Sequence, residues 1–231
     1  MKRRIGITLF LIFILGFTTH AQEDCRLYFP DTHGSVREMK FYDQRDRLQT
    51  ITRHEVLEKI VSGNIVTVKV RATSFDDSEK EIYTGDLEFI CEDGIFRFDL
   101  KDYLDPAQLG SYEEMGVDIT ADNLAYPSVL NSNDQLPDGS IQMVVKSGGA
   151  TIVTITMNIT NRIVEGMETI TTEAGTFNCY KINYDISSRV GFINTNASAT
   201  EWIAESVGLV RSENYNRRGR LTGYSVLTNL K

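Results

Sequence analysis

Apolar side chains recur at every second position through most of this chain, and glycine-bearing turns punctuate the pattern; no other feature restricts the fold as much. The clearest instance is Leu87-Glu88-Phe89-Ile90-Cys91-Glu92, then Asp93-Gly94, then Ile95-Phe96-Arg97-Phe98-Asp99-Leu100. A two-residue Asp-Gly connection supplies the positive φ angles that a tight hairpin turn needs. With Glu92 opposite Ile95, Cys91 falls opposite Phe96, Phe89 opposite Phe98 and Leu87 opposite Leu100, which puts all six side chains on one face.

The same alternation predicts strands over residues 36–42, 48–60, 65–73, 141–146, 151–165, 168–172, 176–186, 197–204, 209–215 and 221–230. Turns are expected at Ser62-Gly63-Asn64, Gly148-Gly149, Ala174-Gly175, Val207-Gly208 and Arg218-Gly219. Many antiparallel strands with short connections make a sandwich or a barrel. The stretch 151–165 exceeds the usual strand of about five or six residues, and long strands in a large sheet must coil or bend. The expected fold is therefore mainly β: a large curved antiparallel sheet forming an open or partly closed barrel. Residues 102–139 interrupt the pattern with Pro106, Pro127 and Pro137 and read as a long irregular crossover or lid. Its apolar residues, among them Leu104, Leu109, Tyr126 and Leu136, argue that it packs onto the sheet, either as a lid over the concave side or as an ordinary buried crossover. Two turns echo each other, Tyr42-Asp43-Gln44-Arg45-Asp46-Arg47-Leu48 and Tyr215-Asn216-Arg217-Arg218-Gly219-Arg220-Leu221, and predict similar hairpins near the two ends of the domain.

Ahead of the first strand, Lys2, Arg3 and Arg4 precede an uncharged stretch at residues 5–17 and then Thr19-His20-Ala21. That is the layout of a secretory signal peptide over residues 1–21. The apolar stretch is too short for the roughly 20 residues a spanning helix requires, so no transmembrane span is expected in the mature chain. Cleavage near Ala21 would leave residues 22–231 as a single exported domain, periplasmic or envelope-associated; an uncleaved anchor is the alternative. Gln22-Glu23-Asp24 stand before Cys25 where a lipoprotein signal carries small apolar residues, so lipidation is not expected. Losing Lys2, Arg3 and Arg4 leaves 21 of the 24 Lys+Arg against 32 Asp+Glu, a net charge of −11. Such a balance opposes nonspecific attraction to nucleic acid or to anionic lipid headgroups.

Cys25, Cys91 and Cys179 in an oxidising compartment allow at most one internal bridge. Cys91 and Cys179 lie in predicted strands and Cys25 in what reads as a mobile leader. A bridge would therefore join Cys91 to Cys179; two separate buried thiols are the equal alternative.

Little in the chain reads as chemistry. His33 and His54 are isolated, one in a turn and one in an alternating strand, and both are assigned structural or surface roles. The acidic pairs Asp76-Asp77, Glu92-Asp93 and Glu113-Glu114 sit in turns, not across a cleft from one another. No metal-ligand spacing, phosphate loop or nucleophile elbow occurs, so no metal, cofactor or catalytic residue is assigned. Tyrosines are numerous and suit surfaces that are apolar on one side and wet on the other. Leu104, Leu109, Tyr126, Tyr180, Tyr184 and Trp202 are the candidate ligand contacts on the lid and concave face, with ordinary core packing as the competing reading. Arg211, Arg217, Arg218 and Arg220 make the last hairpin basic, which edge protection explains as well as a ligand does.

The segment Asn161-Arg162-Ile163-Val164-Glu165-Gly166-Met167-Glu168-Thr169-Ile170-Thr171-Thr172-Glu173-Ala174-Gly175-Thr176-Phe177-Asn178-Cys179-Tyr180-Lys181-Ile182 resembles the TapB-like group of exported bacterial proteins, a relative of families of unknown function. Leu136-Pro137-Asp138-Gly139 and the stretch from Glu201-Trp202-Ile203 to Ser212-Glu213 resemble two further parts of that group, and the likeness runs from about Tyr28 to the C-terminus. Glu173 departs from it, standing where the pattern has proline before Ala-Gly. The resemblance implies an architecture similar to the YmcC-like open barrels and carries over no catalytic residues. The expected role is a noncatalytic binding protein for a lipid or amphipathic envelope component. An interaction or scaffold module for envelope glycan or protein assembly is the alternative, and a hydrolase built from dispersed carboxylates comes third.

Overall fold

The computed structural model describes residues 25–103 and 116–231; the expected signal peptide lies outside them. Fourteen strands form one antiparallel sheet: β1 Val36–Asp43, β2 Leu48–Ser62, β3 Ile65–Asp76, β4 Glu81–Glu92, β5 Ile95–Asp99, β6 Gly116–Ala121, β7 Asn123–Pro127, β8 Gln135–Leu136, β9 Gly139–Ser147, β10 Ala150–Thr172, β11 Gly175–Val190, β12 Ile193–Ala204, β13 Gly208–Asn216 and β14 Leu221–Leu230. The spatial order is β6-β9-β10-β11-β12-β13-β14-β1-β2-β3-β4-β5-β7, with β8 added to β10. The N-terminal and C-terminal strands, β1 and β14, are neighbours in mid-sheet. This is the mainly β, nearly closed barrel that the alternation predicts.

The Asp93-Gly94 hairpin has positive φ at both turn residues and the expected register, Cys91 opposite Phe96 and Glu92 opposite Ile95. Its predicted continuation does not form. The ladder stops at Ile90 opposite Arg97: β5 ends at Asp99 and Leu100 enters a 3-10 turn, Leu100–Tyr103, while the opposite edge of β5 pairs with β7, Phe98 opposite Leu124. Residues 151–165 and 168–172 prove to be one strand, β10. Irregularities where Asn161 (φ 54°) and Gly166 (φ 146°) sit let it bend without breaking.

The crossover at residues 102–139 is partly sheet. Its described portion carries β6, β7 and β8, strands too short and too polar for their alternation to stand out from the prolines. β6 and β7 are nearly one extended run that changes partner at Asp122: the first half pairs with β9 and the second with β5. Asp122 thus joins the two ends of the sheet. Its N–H donates to Ser140 O (2.8 Å), its C=O accepts from Leu100 N (3.2 Å), and its carboxylate accepts from Ser140 N (2.9 Å) and Oγ (2.7 Å). Asp122→Ala is expected to lower stability by about 1–3 kcal/mol in a urea melt, because the two Ser140 donors lose a charged acceptor. A loss no larger than that of a surface Asp→Ala control would show that the seam does not depend on this carboxylate.

Among the described residues most buried apolar side chains fall into two clusters. The larger includes Val56, Val68, Val70, Phe89, Cys91, Phe96, Tyr126, Ile182 and Ile203. The smaller includes Met39, Cys179, Trp202, Val210 and Leu227, with Ile170 and Phe177 from the β10–β11 tip packed against it. Along β11 and β12, neighbouring residues go to different clusters: Tyr180, Ile182 and Ile203 to the larger, Cys179, Trp202 and Ala204 to the smaller. Both faces of this strand pair are covered, and the bent β10–β11 hairpin supplies part of the second cover.

The leader is not mobile. Cys25 is disulfide-bonded to Cys91, and Leu27, Tyr28 and Phe29 are buried in the larger cluster. Leu27 O accepts from Ser206 N (2.8 Å), and the Tyr28 hydroxyl donates to Pro127 O (3.1 Å). Gly208 (φ 89°) admits this segment: a Cβ there would stand 3.0 Å from Tyr28 O. The expected Cys91 to Cys179 bridge is therefore wrong. Those two thiols belong to different clusters, and Cys179 is a free, buried thiol whose pKa burial pushes up to about 11, with help from Glu168.

Candidate functional site

Of the six residues singled out by sequence, Leu104 and Leu109 lie outside the described residues. Tyr126, Tyr180 and Tyr184 come together in or against the larger cluster, whereas Trp202 goes to the smaller one and donates through Nε1 to Glu168 Oε2 (2.9 Å). Tyr126 is enclosed by rings: Tyr28, Phe96 and Phe98 have centroids within 5.8–6.4 Å of it, and the Arg162 guanidinium lies 4.7 Å above it. Tyr28 in turn meets Tyr180 edge-on at 6.3 Å. The leader inserts its own aromatic residues where a concave pocket would have been.

One carboxylate is buried among the described residues. Glu201 accepts from the Tyr184 hydroxyl (2.7 Å) and from that of Tyr126 (3.5 Å). Burial, and then the charge of Glu201, push the Tyr126 phenol far above its ordinary pKa, so it remains a neutral donor. Arg162 is fully buried and donates to Pro137 O (2.7 Å) and Ala125 O (3.3 Å). The cluster ties β7, β10, β11 and β12 together. Carboxylate-pair catalysis needs a second carboxyl facing the first across a cleft, and Glu201 faces phenols. His33 and His54 sit elsewhere: the His33 Nδ1 is 2.6 Å from Leu57 O, and His54 stands beside Arg37 and Phe29.

A different constellation is exposed at the barrel end that carries the β9–β10, β11–β12 and β13–β14 turns. The β11–β12 turn is Gly191-Phe192, with φ 57° at Gly191. Phe192 is fully exposed, and Ile193, Ile152 and Val190 are 69%, 60% and 43% exposed. Turns normally carry polar residues, so Val190-Gly191-Phe192-Ile193 was the available signal, and sequence reading passed over it. Beside this tip a shallow cleft of about 380 Å³ is lined by Asn194, Asn196, Arg217, Arg218 and Arg220, among others.

The arginines are presented by a rigid turn. Asn216 Oδ1 accepts from Arg218 N (2.9 Å) and Arg220 N (3.2 Å), and Gly219 takes φ 69°. Asp43 holds the same turn with Arg45 N and Arg47 N, as the sequence echo predicts. Asp76 makes a third copy with Ser78 N and Lys80 N, which the echo did not reveal because only the Asx and the positive-φ position are shared. Arg47 of the first copy is ion-paired with Asp43. Among the described residues, Arg217, Arg218 and Arg220 have no carboxylate oxygen within 4.0 Å.

Solved structures share this architecture. A "putative lipoprotein" from Parabacteroides distasonis is 30% identical, with a TM-score of 0.77, over 90% of this chain and 100% of that one. A "putative exported protein with YmcC-like fold" from Bacteroides fragilis is 25% identical, with a TM-score of 0.75, over the same shares. These relatives support export and the YmcC-like fold, and they indicate no catalytic family. No curated protein is similar to the chain. The profile of the DUF3108-like family matches residues 32–227, nearly the whole described sheet, and the chain belongs to that family.

Proposed function

We propose that this is a noncatalytic envelope protein that binds an amphipathic, anionic envelope component at its rim, with Phe192 and Ile193 entering the apolar layer and Arg217, Arg218 and Arg220 meeting the headgroups. The observation that carries the reading is a fully exposed phenylalanine on a turn, beside a cleft at the same barrel end lined by three arginines that have no carboxylate partner among the described residues. Water penalises that arrangement in the free protein. Burying each of the two apolar side chains is worth roughly 1.5–3 kcal/mol, and each arginine near an anionic surface adds about 1 kcal/mol. The acidic balance of the chain as a whole opposes approach from a distance. Its field is screened within about 8 Å at physiological salt, so the local arginines govern contact. The interior tyrosines, Tyr126, Tyr180 and Tyr184, hold the scaffold in this reading.

Vesicle flotation tests it. Wild-type protein should float with phosphatidylethanolamine vesicles containing phosphatidylglycerol and should be released by high salt. The Phe192→Ser/Ile193→Ser and Arg217→Ser/Arg218→Ser/Arg220→Ser variants should each bind at least tenfold more weakly while keeping the wild-type circular dichroism spectrum. Wild-type protein that stays in solution with these vesicles rejects the reading.

A further inference from the structure

Among the described residues β4 has a long edge without a ladder, as β10 does beyond Val164. β4 is paired with β3 along its whole length, from Ile65 opposite Glu92 to Phe75 opposite Glu81. On its other side only Ile90, Cys91 and Glu92 pair with β5, whose opposite edge pairs with β7 along its whole length. Residues 81–89 of β4 therefore present backbone N–H and C=O groups with no strand partner among the described residues, over roughly 30 Å of extended chain. An edge of this length is a template for strand addition.

The chemistry of the edge selects what can pair with it. β4 carries Glu81, Asp86, Glu88 and Glu92 and no basic residue. Where β4 and β5 part, a cleft of about 390 Å³ opens, with Leu87 and Phe98 as apolar lining; of the carboxylates around it Asp86 is ion-paired with Arg71 and Asp99 with Lys101, while Glu88 has no ion pair among the described residues. Arg97 is the one basic side chain lining it, 4.0 Å from Glu92. Two copies of this edge would oppose carboxylate to carboxylate, which disfavours self-pairing; an extended strand bearing lysine or arginine would bring the opposite charge. Ile82 and Tyr83, 40% and 37% exposed, add apolar contact at the far end.

We propose that residues 81–89 accept an extended basic segment of another envelope protein as an added antiparallel or parallel strand, a site separate from the arginine rim. The probe is a nine-residue peptide alternating lysine and threonine, tested on the intact protein. Hydrogen exchange of the free protein should be fast at the β4 amides that point away from β3 in residues 81–89, and slow at residues 90–92. The peptide should protect those fast amides and bind at least tenfold more tightly than its glutamate–threonine counterpart. A peptide of the same charge with prolines at alternate positions should lose binding at least tenfold, because its backbone cannot complete the ladder. Slow exchange of the edge in the free protein would show it already covered and overturn the proposal. So would equal binding of the proline peptide, which would reduce the interaction to charge alone.

Discussion

Replacing Cys25 and Cys91 together with serine is expected to lower the unfolding free energy by about 3–4 kcal/mol and to free the leader from the barrel. The bridge spans 66 residues, and a closed loop of that size restricts the unfolded chain by roughly 4 kcal/mol in the chain-entropy account. The consequence reaches the core. Leu27, Tyr28 and Phe29 are held between Cys25 and β1, and Tyr28 packs on Phe96, Tyr126 and Tyr180. Guanidinium melts of oxidised, reduced and doubly substituted protein should give one stable form and two equally weakened ones. Thiol titration of the oxidised protein should find one cysteine, Cys179, reactive only after unfolding. Three reactive thiols after unfolding beside an unchanged melt would refute the pairing and the role given to the leader.

Acid should weaken the fold well before the carboxylates protonate, and His54 is the reason. Its ring meets Phe29 edge-on at 5.7 Å, its ladder neighbours are Arg37 and Ala72, and its Nδ1 is buried without a hydrogen-bond partner among the described residues. Burial, and then the Arg37 charge, push its pKa down to about 3. The unfolded chain takes up this proton near pH 6.5, whereas the folded chain refuses it until about pH 3. The unfolded state therefore binds more protons across that window, and stability falls as pH drops from 6.5 towards 3. The loss amounts to a few kcal/mol, at most about 4, because part of the residue remains at the surface. His54→Leu should flatten that limb. Carboxylates such as Glu38 and Glu213, whose pKa values are lowered, titrate alike in both proteins, so the difference between the two curves isolates the histidine. Parallel curves would exclude it.

The strand content and most turns were legible because they are local. Asp93-Gly94 fixes its own hairpin, and the Asx turns at Asp43 and Asn216 are set by one side chain accepting two nearby backbone N–H groups. The candidate site was less legible. Tyr126 and Trp202 were found as aromatic residues on alternating strands, but a strand shows only which residues share a face, not which cluster lies against that face. The apolar turn at Phe192 was visible and overlooked; the arginines of the last hairpin were noticed, but not that they stand beside that turn.

The sequence by itself determined an antiparallel β chain of alternating faces, its hairpins and its acidic balance, since each depends on residues within a few positions of one another. Only the tertiary structure decided which cysteine Cys91 bonds, that the leader fills the interior, that Asp122 joins the sheet ends and that β4 keeps an open edge. Those outcomes depend on which of several sterically allowed surfaces meet once a curved sheet returns on itself, and the pairing of segments scores of residues apart leaves no periodic trace in the chain.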